Sequence, residues 1–253
     1  MSIEDAVGPI LTITFLTGMA IEAIWPRESQ PQRRWWRLLG IGFFVMAGVI
    51  NVVLPLALPA EWIATHSLLP GQKLGIAGGF LAGFLAWSFV YYWYHRSEHR
   101  FNVMWRGLHQ LHHAPTRVDV AGFAVVHPFD IAVQTVLQVG LLLGVLGLHP
   151  AAAALVGLYG AVAAVVQHLN MRTPRWLGWF MQRPEAHQRH HEFGQHAGNY
   201  ADWPVWDRLF GSYREPASGP LRYGFDGAAT NRVGAMLAFL DVNRDNAPIL
   251  RHE

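Results

Sequence analysis

Histidine is concentrated in one part of this chain. Twelve of its 14 histidines lie between positions 95 and 196, and three clusters, at 95–99, 109–113 and 187–191, follow the patterns HxxxH, HxxHH and HxxHH. In a helix these spacings turn the imidazoles of a cluster toward one face. About 0.04 HxxHH motifs are expected by chance at this histidine content. The two that occur therefore predict a metal site rather than isolated core histidines.

The available donor atoms narrow the choice of metal. The chain has no cysteine, which excludes disulfides, iron–sulfur clusters and thiolate-bound zinc. A zinc ion takes three or four protein ligands, whereas eight or nine histidines suit two ions. Because open positions on an all-nitrogen pair of iron ions suit O₂ binding and reduction, we infer a dinuclear, redox-active site.

The composition indicates which elements hold this site. The 253 residues are 52% hydrophobic and 14% charged, with a net charge of +2, which excludes a disordered chain and a nucleic-acid-binding protein. Three apolar segments are long enough to cross a bilayer as helices. Two more form a helical hairpin that turns at Pro150 and either crosses fully or only dips into the membrane. The predicted spans are residues 7–25, 38–58 and 74–94, and the hairpin covers residues 131–168.

These elements predict an all-α fold. We expect a polytopic membrane helical bundle with a cytoplasmic histidine-rich helical cap, in a single membrane domain over residues 1–253. Segments 95–130 and 169–215 would carry the metal site, and a tail covers 216–253. Glu4 and Asp5 stand where a cleaved signal would carry basic residues, so we expect the first span to remain.

The positive charges predict an orientation. All but one of the 19 lysines and arginines lie in segments 26–37, 95–130 and 169–253, and only Lys73 lies on the other side. Since cytoplasmic loops hold the excess of positive charge, we expect an integral protein of a bacterial inner membrane with its metal site on the cytoplasmic side.

Two features inside the spans allow further predictions. Gly75, Gly79 and Gly83 form a stripe at four-residue spacing, which favours close approach of a neighbouring helix. Glu22, near the inner end of the first span, is either a functional intramembrane carboxylate or, as we favour, reaches the interface or meets an arginine.

Three runs of the chain resemble a known family. They are YYWYHRSEHRFNVMWRGLHQLHH (91–113), PRWLGWFMQRPEAHQRHH (174–191) and NYADWPVWDRLFGSY (199–213). Over about residues 80–215 the chain is similar to the fatty acid hydroxylase and sterol desaturase superfamily of integral-membrane di-iron enzymes. The resemblance implies two iron ions and no catalytic residue beyond their ligands. The implied ligands are His95, His99, His109, His112, His113, His187, His190 and His191, with His168 of VVQHLN as a ninth.

Several residues near these clusters have open roles. His127 is either a further metal ligand or, as we favour, structural or in contact with a ligand. His196 is either such a contact or an ordinary loop residue. Asp202 and Asp207 either accept the second N–H of ligating imidazoles or, as we favour, act as helix caps or surface ion pairs. No role is assigned to three further histidines, which are His66, His149 and His252.

The resemblance implies a reaction. An O₂-dependent oxidoreductase of this kind hydroxylates or desaturates an unactivated C–H bond of a lipid, such as a fatty acyl, sphingoid or sterol-like chain. Ser88 and Val125 stand where many members have an acidic residue and an arginine, so the resemblance names no substrate. Aromatic residues beside the first cluster, in the segment 87–94, would line a lipid slot or form an interfacial belt.

The electrons would come from outside the chain. It has no GxGxxG fingerprint, no CxxCH haem motif and no cysteine, so a ferredoxin or small cytochrome with its reductase is implied. The arginine-rich inner face either docks such an acidic carrier or reflects membrane topology alone, which we favour.

Two other functions remain as alternatives. A histidine-rich metal transporter would carry its histidines near the bilayer midplane. A zinc-dependent membrane hydrolase would need about three histidines and a carboxylate base. Metal analysis would separate the three.

Overall fold

A computed structural model describes residues 2–217 and 219–243 of the chain. Within those ranges every regular element is a helix, apart from one isolated bridge between Glu192 and Tyr223. The predicted all-α class is therefore confirmed. His252 and the end of the predicted tail lie outside the described residues.

Five of the described helices are long and apolar enough to cross a membrane. They are α1 (Ile3–Ile24), α2 (Trp36–Ala57), α3 (Gly75–Arg100), α4 (Pro128–Val139), which a π-helical turn over Gly140–Val145 extends, and α5 (Pro150–Gln167). The first two spans lie where they were predicted, and each arm of the hairpin has the length of a full span. The third span was predicted too short, because α3 continues past residue 94 and includes the first histidine cluster.

Two His-Pro pairs set where the hairpin helices begin. The Nδ1 atoms of His127 and His149 accept the backbone N–H groups of Phe129 and Ala151, at 3.0 and 3.1 Å. Each histidine thereby satisfies a free N–H of the first turn, and the proline that follows fits the first helical position. The hairpin thus starts at Pro128 rather than at the predicted 131, and His149 has a capping role that the sequence analysis had not assigned.

The long helices pack in two sets. Helix α5 packs against α1 and α3, while α2 packs against α4. In α3, a Cβ on Gly79 would lie 3.0 Å from Ala152, and one on Gly83 would lie 3.0 Å from Val156. The small-residue stripe therefore serves helix packing as predicted, except at Gly75, where the chain enters α3 with a positive φ of 64°.

The ends of α1 and α2 are tied to the segments that carry the histidines. Glu22 is buried and accepts the backbone N–H groups of Val120 and Asn170, at 3.1 and 3.3 Å. The Trp36 indole donates to Asp119 at 2.9 Å. The expectation that Glu22 reaches the interface or pairs with an arginine was wrong, because two buried N–H groups at this point require an acceptor.

Candidate metal centre

Four stretches of chain supply the predicted ligands. His95 and His99 lie in the last turns of α3. The second cluster begins with His109, the last residue of a π-helical turn (Trp105–His109), and continues into the helical turn Gln110–His113. His168 directly follows α5, and the third cluster lies on and just after α6 (Pro184–His190). All nine side chains are buried, with at most 7% of any residue exposed.

The structure brings the nine imidazoles into two groups. In each group, one nitrogen of every ring lies within 4.8 Å of one nitrogen of every other ring. The five-histidine group contains His95, His99, His109, His113 and His190. The four-histidine group contains His112, His168, His187 and His191.

Each HxxHH cluster contributes histidines to both groups. The second cluster gives two to the five-histidine group and one to the four-histidine group, and the third cluster gives one and two. The first and last histidines of the second cluster join the five-histidine group, and its middle one, His112, joins the other. The third cluster is reversed, since only its middle histidine, His190, joins the five-histidine group. Successive residues of a helix are rotated by roughly 100°, so positions i and i+4 stay close while i+3 lies on the other side of i. An HxxHH helix is thereby suited to stand between two ions.

Ring nitrogens approach one another closely inside each group. In the five-histidine group, the Nε2 of His109 lies 2.9 Å from that of His95 and 3.1 Å from that of His113. In the four-histidine group, the Nε2 of His168 lies 3.1 Å from that of His112 and 3.2 Å from that of His187. Both groups therefore converge on a point through Nε2.

Backbone carbonyls determine which nitrogen faces these points. The Nδ1 atoms of His95, His168 and His190 donate to the carbonyls of Tyr200, Ala164 and Gly198, each at 2.7 Å. A neutral ring that donates through Nδ1 carries a bare lone pair on Nε2. Lone pairs that converge without a proton between them repel, and a cation removes that repulsion. The residues thus fit a metal in each group, with carbonyls orienting the ligands.

The protonation of these rings also suits a metal. Burial lowers the pKa of His168 to about 4. Burial is likewise the main cause that holds the pKa well below its usual value in the other predicted ligands beyond α3, which are His109, His112, His113, His187, His190 and His191. At neutral pH these rings are therefore uncharged and able to coordinate.

A loop with unusual backbone geometry presents two of the carbonyls. His196, Gly198 and Asn199 have positive φ values of 38°, 74° and 53°. The Asn199 amide holds the loop in place by donating to the carbonyls of Ala186 and Arg214, at 2.7 and 2.9 Å. This contact gives the asparagine of the NY motif a structural role.

Asp207 also holds this loop in place. Its two carboxylate oxygens accept the backbone N–H groups of Tyr200 and Ala201, both at 2.8 Å. Asp202 is buried too and accepts the Gln167 amide at 3.1 Å, and burial raises its pKa to about 7. Within residues 2–217 and 219–243, neither aspartate hydrogen-bonds to a histidine, caps a helix or forms an ion pair, so both expectations for them were wrong. Asp207 instead acts indirectly: it holds the backbone of Tyr200, whose carbonyl accepts the Nδ1–H of His95.

The two histidines with open roles lie in different places. His196 is buried, with its Nδ1 2.9 Å from that of His113, and burial lowers its pKa to about 4. It therefore contacts a predicted ligand. His127 lies apart from both groups, and its Nε2 donates to the carbonyl of Leu237 at 3.3 Å, so its role is the capping one.

Comparison with protein families agrees with this arrangement. The family model for fatty acid hydroxylase matches residues 80–212, slightly more than half of the chain, and this range contains all nine predicted ligands. The chain belongs to the fatty acid hydroxylase family. This family is part of the sterol desaturase and fatty acid hydroxylase superfamily, so the predicted membership is confirmed. No curated protein and no solved structure matches the chain.

In this fatty acid hydroxylase family member, one site residue escaped the sequence analysis. Glu98 is buried between the two histidines of HRSEH, and its Oε2 lies 3.4 Å from Nδ1 of His109. Glu98, His109 and Asp130 form a third set of close donor atoms, and Tyr94 donates to Asp130 at 2.5 Å. The available signal was that Glu98 lies three residues after His95, on the same side of α3.

A cavity of about 220 Å³ opens from the histidines. Residues of α2, α3, α4 and α5 line it, including Trp87 and Tyr91. Other aromatics of the segment 87–94 lie elsewhere: Phe89 and Trp93 are 39% and 40% exposed and contact Phe210. Members of the segment 87–94 are therefore divided between the cavity wall and the exposed surface.

Proposed function

We propose that this protein is an O₂-dependent, di-iron enzyme that hydroxylates or desaturates an unactivated C–H bond of a membrane lipid. One observation carries the proposal. Nine buried imidazoles divide into two adjoining groups at the mouth of a cavity between apolar helices. Iron bound there would supply the reduction of O₂ and the removal of hydrogen from the substrate carbon.

The chain's own residues have separate tasks in this reaction. The carbonyls of Ala164, Gly198 and Tyr200 hold three imidazoles in one tautomer. Burial keeps water from the histidines and keeps the rings neutral. On α5, the small residues Gly160, Ala161 and Ala164 form part of the cavity wall, which leaves room for a chain that enters from the bilayer. The substrate carbon would then lie beside His112 and His168, where the cavity meets the histidines.

The membrane setting is part of the proposal. The histidine end of the bundle carries the arginine-rich segments, and by the positive-inside rule that end would face the cytoplasm of a bacterial inner membrane. A lipid would then reach the site without leaving the bilayer.

An electron donor is required, and a second cavity offers a place for it. This cavity, of about 630 Å³, lies beside Ala186 of α6 and is lined by five arginines. Two of them, Arg172 and Arg175, are exposed. We propose that an acidic carrier, a ferredoxin or a small cytochrome with its reductase, docks here, next to the helix that bears His187 and His190.

The two alternative functions fit less well. A transporter would place its ligands along a path near the middle of the spans, whereas these histidines lie at one end of the bundle. A zinc hydrolase would use about three of the histidines and leave the other group of buried, converging lone pairs unexplained.

The test combines metal analysis with product analysis. The protein, purified in detergent from iron-supplemented cells, is analysed for metals by mass spectrometry and for O₂ consumption with a chemical reductant. Lipid extracts of cells with and without the protein are then compared for the gain of one oxygen or the loss of two hydrogens. Two irons per chain with such a product support the proposal. One zinc per chain without O₂ consumption, or metal uptake into vesicles, would overturn it.

A further inference from the structure

The cavity reaches far from the histidines. One of its lining residues, Gly157, precedes His168 by eleven positions on α5. At a rise of 1.5 Å per residue this corresponds to roughly 16 Å. Gly157 lies near the middle of the helix Pro150–Gln167, which in a bilayer crossed by this helix would be the depth of the bilayer centre.

That far end is polar. It is lined by Asn51 of α2 and by Thr135 and Gln138 of α4. The Thr135 hydroxyl lies 2.9 Å from Oδ1 of Asn51 and 2.7 Å from the carbonyl of Ile131, and the Asn51 amide donates to the carbonyl of Ala47 at 2.9 Å. Gln138 faces α5, since a Cβ on Gly157 would lie 3.2 Å from its Oε1, and its amide has no hydrogen-bond partner in the part of the chain that the structure describes.

A polar group at this depth needs a partner. Lipid hydrocarbon offers no hydrogen bonds, so polar residues inside spans face cavities or partners and mark sites of function. The charged side chains that line the cavity, Asp130 and Asp202, belong to its histidine end, because Asp130 is in the first turn of α4 and Asp202 binds Gln167. The far end therefore offers neutral groups only: the Gln138 amide can both donate and accept hydrogen bonds, and the Thr135 hydroxyl, whose proton is directed at Ile131 or Asn51, can still accept one.

We propose that this far end, which we call the polar end (Asn51, Thr135 and Gln138), binds a neutral oxygen-bearing group of the substrate. The substrate is then a lipid with a second polar group, a hydroxyl or carbonyl, held about 16 Å from the carbon beside the histidines. A plain alkyl tail would leave the amide of Gln138 unpaired in hydrocarbon. This inference rests on the proposed function for the identity of the ligand as substrate.

Binding of matched probes tests the inference. Dodecanol and dodecanediol, the latter with a hydroxyl at each end, have the same chain and differ only in the group that would reach the polar end. Their affinities for the full-length, metal-loaded protein are measured by titration calorimetry in detergent. We expect the diol to bind about tenfold more tightly, the effect of one well-made hydrogen bond.

Three variants make the test specific. Gln138→Leu should remove the preference for the diol while it keeps the affinity for dodecanol, and Thr135→Val, which preserves shape, should weaken the preference. Val136→Leu, at an exposed position of the same helix, should retain it. Equal affinities in the unmodified protein, as expected if water alone fills the polar end, or a preference that survives both Gln138→Leu and Thr135→Val, would overturn the inference.

The readout separates this inference from the proposed function. Binding is measured without turnover, so a diol preference that Gln138→Leu removes supports the polar end even where no lipid product is found. Conversely, an oxygenated product from a protein that binds both probes equally supports the enzyme and refutes the polar end.

Discussion

The rings of His113 and His191 stack almost face to face, with centroids 4.2 Å apart and planes inclined by 21°. The two residues belong to different histidine groups, so the groups adjoin through this stacked pair of rings. Metal ions held by these residues would therefore occupy neighbouring sites. This arrangement allows the groups to be tested separately.

Replacing one member of the smaller group should impair metal binding and catalysis together. His112→Ala leaves three imidazoles in that group, so we expect roughly half of the metal to be lost and turnover to fall by at least about 100-fold. Insertion into the membrane should be unchanged, because the ring faces the site. Metal content and product formation measure the effect. His66→Ala, at an exposed histidine outside both groups, is the control, and normal metal content in His112→Ala would contradict the assignment.

Much of this arrangement could be predicted from the sequence. The spans follow from apolar length alone, and the clusters follow from helical periodicity, which is why His95 and His99 or His187 and His191 lie on one face. Such signals are local, and they depend on residues a few positions apart.

The contacts that orient the ligands could not be predicted in this way. The division of HxxHH between two groups depends on how α6 and the second cluster face each other. The carbonyls that hold His95 and His190 come from a loop with positive φ values. The spacing of residue types along the sequence does not indicate where such backbone carbonyls will point. Asp207 was misjudged for the same reason, since its partners are two backbone N–H groups rather than a side chain.

Asp207 should be required for the geometry of the site. In Asp207→Asn the amide can accept only one of the two backbone N–H groups, and its own NH₂ would face the other. We expect unfolding to become easier by about 1–3 kcal/mol and metal affinity to fall by about tenfold, as measured by thermal unfolding and metal content. Asp226→Asn removes an exposed carboxylate paired with Arg222 and should change stability by at most about 1 kcal/mol. If both variants behave alike, Asp207 does not position the loop.

The metal should be retained below the ordinary pKa of histidine. Burial lowers the pKa of His168 from 6.5 to about 4, so protons begin to compete with the metal only as the pH approaches that lower value. For the metal-free protein, the same shift means that stability is lost as pH falls from about 6.5 to about 4, because the unfolded chain takes up protons first. Dialysis over this range followed by metal analysis checks the prediction, and release already near pH 6.5 would contradict it.

Asp202 should have the opposite pH dependence. Its pKa is raised from 3.8 to about 7, so burial of the charged form costs stability progressively as pH rises through this range. Asp202→Asn removes the cost and can still accept the Gln167 amide. We expect it to raise the melting temperature of the metal-depleted protein at about pH 8.5 by several degrees and to have little effect at about pH 4. A shift of the same size at both pH values would show that the carboxylate is not the cause.

The arginine-lined cavity should determine how fast an acidic carrier delivers electrons. Arg172 and Arg175 line it, are exposed and have no ion pair in residues 2–217 or 219–243, so their charge is free to attract a partner. With both changed to glutamine, we expect kcat/KM for a reduced acidic ferredoxin to fall about tenfold at low salt, and the difference to shrink as ionic strength rises.

The controls for this double variant separate docking from chemistry. Its turnover with dithionite and its metal content should be normal, because the two arginines contact no predicted ligand. The matched double variant at Arg34 and Arg232, which are also exposed but outside this cavity, removes the same charge and should leave the ferredoxin kinetics unchanged. An equal loss in both double variants would mean that overall charge, rather than this cavity, attracts the carrier.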